Sequence, residues 1–292
     1  QKFHQGDLQK IHSKAQAAPT QRTSHIQGAG KTGQHHRIMT FVFKRLTLVA
    51  ILLVVVSACR VAEPRGNSMG QDYLEREFKC TETPLPVEVD PGFGLIKQAV
   101  RQNWGNENRK SARIVLTGDS TIALFAGPRL QAYLPGLDVA NRGIGGDTSG
   151  GLLARLDTDV VALHPSTVVI VIGGNDILQG RCMRTVLANT TSIFKTLKES
   201  LPGVRIIMVS IPPVVSWKAN SITPYYNRKL EYLTRDEGIE YLDLWPALSD
   251  SDKPQLREEF HFRLPGGKVD QVHFNEKGYE TFGRLLQPLL SK

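Results

Sequence analysis

The pattern of apolar and polar positions changes character at about residue 93. From there to the end of the chain, short apolar runs alternate with longer stretches in which apolar residues recur at helical spacing. The run at 166–172, "STVVIVI", is apolar at nearly every position, which is typical of a parallel strand covered on both faces. Similar runs predict further strands at 113–117, 137–141, 204–211 and 239–244.

The stretches around these strands have the apolar periodicity of helices. Helices are predicted at about 95–104, 122–134, 147–156, 186–201, 223–237 and 276–290. Regular alternation of strands with helices of this length indicates right-handed crossovers and a parallel sheet with helices on both faces. The sequence therefore predicts one doubly wound α/β domain over residues 93–292.

The first part of the chain has a different organisation. Residues 1–38 show no apolar periodicity and precede Met39, the first methionine. We interpret them as a disordered upstream extension, which a mis-called start would produce. The alternative is a disordered arm that belongs to the protein. Residues 39–58 contain a short basic region, an apolar run and small residues, which is the pattern of a signal peptide and is short for a membrane span. The polar, proline-containing residues 59–92 are predicted to form a tether.

The end of the predicted signal peptide, "VSAC", resembles the lipobox of bacterial lipoproteins. In such proteins the signal is cut before a cysteine that becomes lipid-modified, here Cys59, although Val56 stands where leucine is usual. An ordinary cleaved signal is the alternative, and both place the protein in the cell envelope or outside the cell. Because that compartment is oxidising, Cys80 and Cys182 are candidates for a disulfide, or else two unrelated thiols.

The net charge of +8 does not indicate a nucleic-acid partner. Residues 1–38 carry six basic residues and one acidic residue, and Lys44 and Arg45 add two more positive charges. The chain from Cys59 onward is therefore close to neutral, and the basic character belongs to the leader. This distribution excludes a nucleic-acid-binding domain.

Polar residues stand at positions where parallel strands end. Ser120 lies in "GDS" after the first strand, Gly146 in the glycine run "GIGGDTSGG" after the second, and Asn175 in "GGND" after the third. Asp270 and His273 lie in "DQVH" just before the last helix. Since ligands of open parallel sheets bind outside the carboxyl ends of the strands, we expect these residues to share one rim.

Together these residue types fit acyl transfer without a metal or cofactor. His273 would take the proton of the Ser120 hydroxyl, and Asp270, three residues earlier, would orient the imidazole through one irregular turn. The backbone amides of Ser120 and of the Gly145–Gly146 turn, with the Asn175 side chain, would form the oxyanion hole.

Each motif alone has a simpler interpretation. "GDS" and "GGND" are common turns. The glycine run lacks the third glycine of a dinucleotide site, because Thr148 occupies that place. It also lacks the Gly-Lys-Ser/Thr ending of a phosphate-binding loop. Asp147 is most simply a helix N-cap. We interpret His164 and His261 as structural or surface residues, and Asp243 as a residue at the end of a strand. The combination of complementary roles in chain order favours the catalytic interpretation.

The four blocks "GDS", "GIGGDT", "GGND" and "DQVH" resemble, in order, those of the SGNH or GDSL-type serine hydrolases. The residues around the first two blocks, and "FNEKGY" after the histidine, are most similar to those of the platelet-activating-factor acetylhydrolase-like branch. The resemblance covers about residues 110–290 and implies a flavodoxin-like three-layer α/β/α sandwich and hydrolysis through an acyl-serine intermediate. Thr121 stands where the GDSL name has leucine, which weakens the subfamily assignment only.

The sequence thus predicts an exported, lipid-anchored or secreted esterase. Expected substrates are O-acetyl carbohydrates, lysophospholipids or short-chain esters, and the membrane is contacted only through the anchor at Cys59. A transacylase with the same residues, or a non-catalytic surface lipoprotein, are the alternatives. The pattern predicts no oligomeric state.

Overall fold

The computed structural model describes Cys80, residues 91–107 and residues 109–292. The predicted upstream extension, the signal peptide, the anchor residue Cys59 and most of the tether lie outside the described residues. Cys80, within the predicted tether, is joined to Cys182 by a disulfide. Of the two interpretations of these cysteines, the structure therefore supports the disulfide.

Helices and strands alternate along the described chain. The helices are α1 (Pro91–Asn106), α2 (Ser120–Ala123), α3 (Pro128–Tyr133), α4 (Ser149–Asp159), α5 (Gly174–Leu178), α6 (Met183–Ser200), α7 (Trp217–Asn220), α8 (Thr223–Asp236), α9 (Trp245–Leu248) and α10 (Glu276–Leu290). The strands are β1 (Ile114–Gly118), β2 (Val139–Gly143), β3 (Thr167–Val171), β4 (Arg205–Val209), β5 (Glu240–Leu242), β6 (His261–Arg263) and β7 (Val269–Phe274). Single turns of 3₁₀-helix cover Val161–Leu163 and Glu258–Phe260.

The central sheet has five parallel strands in the order β2-β1-β3-β4-β5. Every residue of β1 and β3 is buried, as the continuous apolar runs predicted. The chain leaves β1 for β2 on one side, and later continues from β3 toward β4 on the other. The loops after β1 and β3 therefore diverge and leave a crevice between them at the carboxyl edge, the usual ligand site of this topology.

Alternate residues of the strands feed two separate apolar cores. On one face, Val168 and Ile170 of β3 pack in a cluster with residues of α4, α6 and α8. On the other face, Val169 and Val171 pack in a cluster with residues of α2 and α10. The predicted five-stranded, three-layer α/β/α sandwich is confirmed.

The structure differs from the sequence expectation in some helices and in one hairpin. The short helices α5, α7 and α9 were not predicted. The predicted helix at 122–134 is broken into α2 and α3, because Pro128 has no amide hydrogen and fits only the first turn of a new helix. The hairpin of β6 and β7 was not predicted. Its ladder pairs His261 with Phe274 and Arg263 with Val269, so β7 carries extra residues that bulge outward.

No helix in the described ranges is both long enough and apolar enough to cross a bilayer.

Candidate active site

A tight turn at the end of β1 sets the position of Ser120. Gly118 has φ of 139°, and a Cβ atom there would lie 1.8 Å from the carbonyl oxygen of Val171. Only glycine fits, and the next residue, Asp119, donates its amide hydrogen to that same carbonyl at 3.1 Å. The Asp119 carboxylate then caps α2 by accepting from the Thr121 amide at 2.9 Å. Ser120 is consequently held at the carboxyl edge of the sheet.

The bulge in β7 holds Asp270 and His273 against each other. One carboxylate oxygen of Asp270 accepts hydrogen bonds from the amides of Val272 at 2.8 Å and His273 at 2.9 Å. Its other oxygen lies 3.0 Å from Nδ1 of His273. Partial burial alone would raise the pKa of Asp270, but these hydrogen bonds outweigh it and lower the pKa below the usual value. The carboxylate therefore stays ionised beside the imidazole.

The hairpin and the β1 turn meet at one point. Nε2 of His273 lies 3.0 Å from Oγ of Ser120, across 153 residues of sequence. With Nδ1–H directed to Asp270, Nε2 of the neutral imidazole accepts from the serine hydroxyl. The structure thus brings the three predicted residues into one hydrogen-bonded series, Ser120–His273–Asp270, with the His273 side chain 30% exposed.

The predicted oxyanion donors lie in the two neighbouring loops. Gly146, with φ of 77°, turns the chain after β2. Asn175 is the second residue of α5, after β3, and its Nδ2 donates to the carbonyl oxygen of Asp147 at 2.8 Å. Because a carboxamide has two N–H groups, one remains for another acceptor. Among the described residues, none accepts a hydrogen bond from the amide of Ser120 or Gly146.

Ser120 and Asn175 line a small cleft with a volume of about 30 Å³. Its other walls are mostly apolar: Ile177, Leu178, Ile211, Pro212, Val214, Ala219 and Val272. A larger cavity of about 610 Å³ lies behind the Ile177 wall, which both spaces share.

Asp147 is not the predicted helix N-cap. The cap of α4 is Thr148, whose hydroxyl accepts from the Gly151 amide at 3.1 Å. Asp147 is fully buried and pairs with Arg155 at 2.7 Å and Lys97 at 3.0 Å. A buried carboxylate needs charged partners, and these come from α4 and α1. Sequence reasoning missed Arg155 and Lys97, since neither has a local signal pointing to Asp147.

Asp119 is the second buried carboxylate near Ser120. Burial raises its pKa, hydrogen bonds from Thr121 oppose the shift, and the charge of Asp147 raises it again, for a value of about 6. The positive form of His273 acts in the opposite direction and lowers the Asp119 pKa.

The remaining candidates from the sequence are structural, as predicted. His261 places Nε2 3.0 Å from the carbonyl oxygen of Leu256, His164 is exposed in a left-handed turn, and Asp243 accepts from the Trp245 amide at 3.0 Å. Within the described ranges, no cluster of three or more histidine, cysteine, aspartate or glutamate side chains could hold a metal ion.

Comparison with known proteins identifies the family. A model of the GDSL-like lipase/acylhydrolase family matches residues 104–281, which include all five predicted site residues. The chain belongs to this family. The resemblance stated from the four sequence blocks is confirmed, and the protein is a carboxylic-ester hydrolase.

Individual members of the family are only distantly similar. An arylesterase of Vibrio mimicus is 26% identical over 164 residues, or 52% of this chain and 73% of the relative. The esterase TesA of Pseudomonas aeruginosa is 36% identical over 75 residues, or 26% of this chain and 37% of the relative. The crystal structure of a GDSL-like lipase from Bacteroides thetaiotaomicron superposes with a TM-score of 0.56 at 20% identity, covering 65% of this chain and 96% of that chain, and shows the same fold.

The raised pKa of Asp119 predicts a pH-dependent stability difference. The folded protein binds this proton more tightly than the unfolded chain, so raising the pH from about 4 to about 6 costs folded-state stability. Asp119→Asn removes that cost and keeps an acceptor for Thr121. The free energy of unfolding of the variant, relative to wild type, should therefore rise by roughly 2–3 kcal/mol between pH 4 and pH 8.

Denaturant unfolding at several pH values measures this difference. Asp157→Asn, on the exposed side of α4, is the matched control and should show no such trend. An Asp119→Asn advantage that is the same at pH 4 and pH 8 contradicts the prediction.

Proposed function

We propose that Ser120, His273 and Asp270 hydrolyse the ester through an acyl-serine intermediate. The observation that carries this proposal is the 3.0 Å contact of the serine hydroxyl with His273 together with the 3.0 Å contact of His273 with Asp270. A serine hydroxyl is a weak nucleophile until a base removes its proton, and this arrangement supplies the base.

The reaction proceeds in two halves with the proton carried by one imidazole. Nε2 of His273 takes the proton of Ser120 as Oγ attacks the ester carbonyl carbon, and Asp270 stabilises the resulting imidazolium. His273 then gives that proton to the leaving alkoxide, which departs as the alcohol. A water molecule, deprotonated by the same nitrogen, attacks the acyl-serine, and the proton returns to Ser120 as the carboxylic acid leaves.

The oxyanion of each tetrahedral intermediate is stabilised by three donors: the Ser120 amide, the Gly146 amide and the second N–H of Asn175. The first two amides have no acceptor among the described residues, which supports this role. Removal of one such donor typically lowers kcat about 10²- to 10³-fold.

Replacement of Ser120 tests the proposed nucleophile. Ser120→Ala should lower kcat for p-nitrophenyl acetate by roughly 10⁴- to 10⁶-fold, because no other group can form the acyl intermediate. Ser192→Ala is the matched control, since that serine lies on the exposed side of α6 and donates only to the Ala188 carbonyl. The proposal fails if Ser120→Ala retains activity comparable to that of Ser192→Ala.

We further propose that the acyl group is short. The cleft beside Ser120 holds only about 30 Å³, and its apolar walls fit a methyl group better than a long chain or a charge. This favours O-acetyl groups on carbohydrates and other short-chain esters over lysophospholipids with long acyl chains.

A substrate series separates these classes. In p-nitrophenyl esters of increasing chain length, kcat/KM should be highest for acetate and fall at least about tenfold by octanoate, as expected when extra methylenes cannot be accommodated. Acetylated xylose and lysophosphatidylcholine, assayed by release of free acid, extend the series to natural alcohols. A preference for octanoate or for the lysophospholipid contradicts the proposed acyl size.

We also propose that the protein is exported and anchored by a lipid on Cys59. The pattern of residues 39–58 supports export, and so does the disulfide between Cys80 and Cys182, because such bonds persist in oxidising compartments.

Metabolic labelling with an alkyne fatty acid in a bacterial host tests the anchor. The full chain should take up the label and sediment with membranes, whereas Cys59→Ser should do neither. Cys80→Ser is the matched control and should keep the label, since it loses only the disulfide. Labelled Cys59→Ser, or an unlabelled wild type, contradicts the proposed anchor.

A further inference from the structure

Arg155 of α4 joins three segments that surround the proposed oxyanion hole. Its side chain is 3% exposed. Nε donates to the carboxylate of Asp147 at 2.7 Å, Nη1 to the carbonyl oxygen of Arg142 at 2.9 Å, and Nη2 to the carbonyl oxygen of Gly118 at 3.1 Å. Nη1 also lies 3.5 Å from the carboxylate of Asp159. One guanidinium therefore connects the ends of β1 and β2 with the loop that follows β2.

Each proposed oxyanion donor is connected to one of these contacts, either along the chain or through a hydrogen bond. Gly118 precedes Ser120 by two residues, and its carbonyl oxygen also accepts from the Ile144 amide at 2.9 Å. Asp147 directly follows Gly146, and its own carbonyl oxygen accepts from Asn175 Nδ2 at 2.8 Å. The side chain of Asp147 is thus fixed by Arg155 while its backbone orients Asn175.

We propose that Arg155 is a positioning residue, which aligns the oxyanion donors of Ser120, Gly146 and Asn175 through Asp147 and Gly118. The inference rests on the proposed function, since those donors are part of it. Arg155 touches no reacting atom; it acts on the geometry of the loops. Misplacing a catalytic group by about 1 Å can cost on the order of 10²-fold in rate, so such a residue has a large kinetic effect.

The charges around Arg155 show why arginine is needed there. The carboxylates of Asp147 and Asp159 are both buried. Asp147 pairs with Arg155 and with Lys97 of α1. Asp159 pairs with Arg155 and with Arg101 of α1. A lysine at position 155 would preserve this charge balance. It would not reproduce the planar fork, which donates in three directions to Asp147, Arg142 and Gly118 at once. Arg155→Lys therefore separates alignment from charge pairing.

A double-mutant cycle with Asn175→Ala tests the inference. With p-nitrophenyl acetate, Arg155→Lys should lower kcat about 10- to 100-fold and change KM by less than about threefold, because the donors act on the charged intermediate and not on the bound ester. In the Asn175→Ala background the same substitution should lower kcat by a factor at least about threefold smaller, since one of the three aligned donors is already absent.

Arg205→Lys is the matched control. Arg205 also pairs with a carboxylate, Glu240, and donates to the carbonyl of Leu289, but it begins β4 at the amino end of the sheet. Its replacement should leave kcat within about threefold of wild type in both backgrounds. Equal losses for Arg155→Lys with and without Asn175, or an unchanged kcat, overturn the inference.

Gly151→Ala provides a second route if Arg155→Lys does not fold. A Cβ at Gly151 would lie 2.2 Å from the Asp147 carboxylate and 3.0 Å from Nζ of Lys97, so it displaces the carboxylate while Arg155 stays in place. Alanine favours the helix, so thermal stability is expected to survive better than kcat. This variant should show the same coupling to Asn175; additive losses overturn the inference. A failure of the proposed function is separately visible, as retained activity of Ser120→Ala.

Discussion

The hydrogen bond between the Ser120 hydroxyl and Nε2 of His273 is the interaction on which the proposed function depends. It joins the turn after the first strand of the sheet to a hairpin 153 residues later in the sequence. No local pattern in either segment predicts this contact. The local backbone on each side positions the two side chains for this contact. On one side, Gly118 lets β1 approach β3 so closely that no side chain fits between them. On the other, the bulge of β7 turns Asp270 and His273 toward the same edge.

The sheet topology explains why this meeting point is also the proposed site for an ester. Since β1 and β3 are neighbours but their loops run to opposite sides, the crevice between them collects Ser120 from one loop and Asn175 from the other. The β2 loop reaches the same place through the carbonyl of Asp147, which accepts from Asn175. The buried Asp147 of that loop is paired with the buried Arg155 and with the partly exposed Lys97, so α1 contributes to the site although it carries no residue of it.

Local patterns in the sequence were sufficient for the sheet and for expecting the five candidate site residues at one edge of it. The strands β1 and β3 are apolar throughout, and Ser120, Gly146 and Asn175 follow strands directly, so periodicity placed them at one edge. Asp270 and His273 are three residues apart, close enough for one turn. The β6–β7 hairpin was missed because its strands are short and half exposed, without a strict alternation of apolar residues.

Other features depend on contacts between distant segments, which no local pattern reveals. Lys97 meets Asp147 across 50 residues, and Arg101 of the same helix pairs with Asp159 of α4. This is also why Asp147 was interpreted as a helix cap: a carboxylate before a helix usually is one, unless buried cations offer stronger partners. The break between α2 and α3 had a local signal in Pro128, which the surrounding apolar periodicity outweighed.

Covalent labelling with a fluorophosphonate tests most directly whether Ser120 and His273 work as a pair. Mass spectrometry of the digested wild-type protein should find the label on Ser120 alone. In a His273→Ala variant that keeps its near-ultraviolet circular dichroism, the labelling rate should fall by at least about 10²-fold, because the hydroxyl has lost its base. A label on another residue, or labelling of Ser120 at an undiminished rate without His273, would contradict the account.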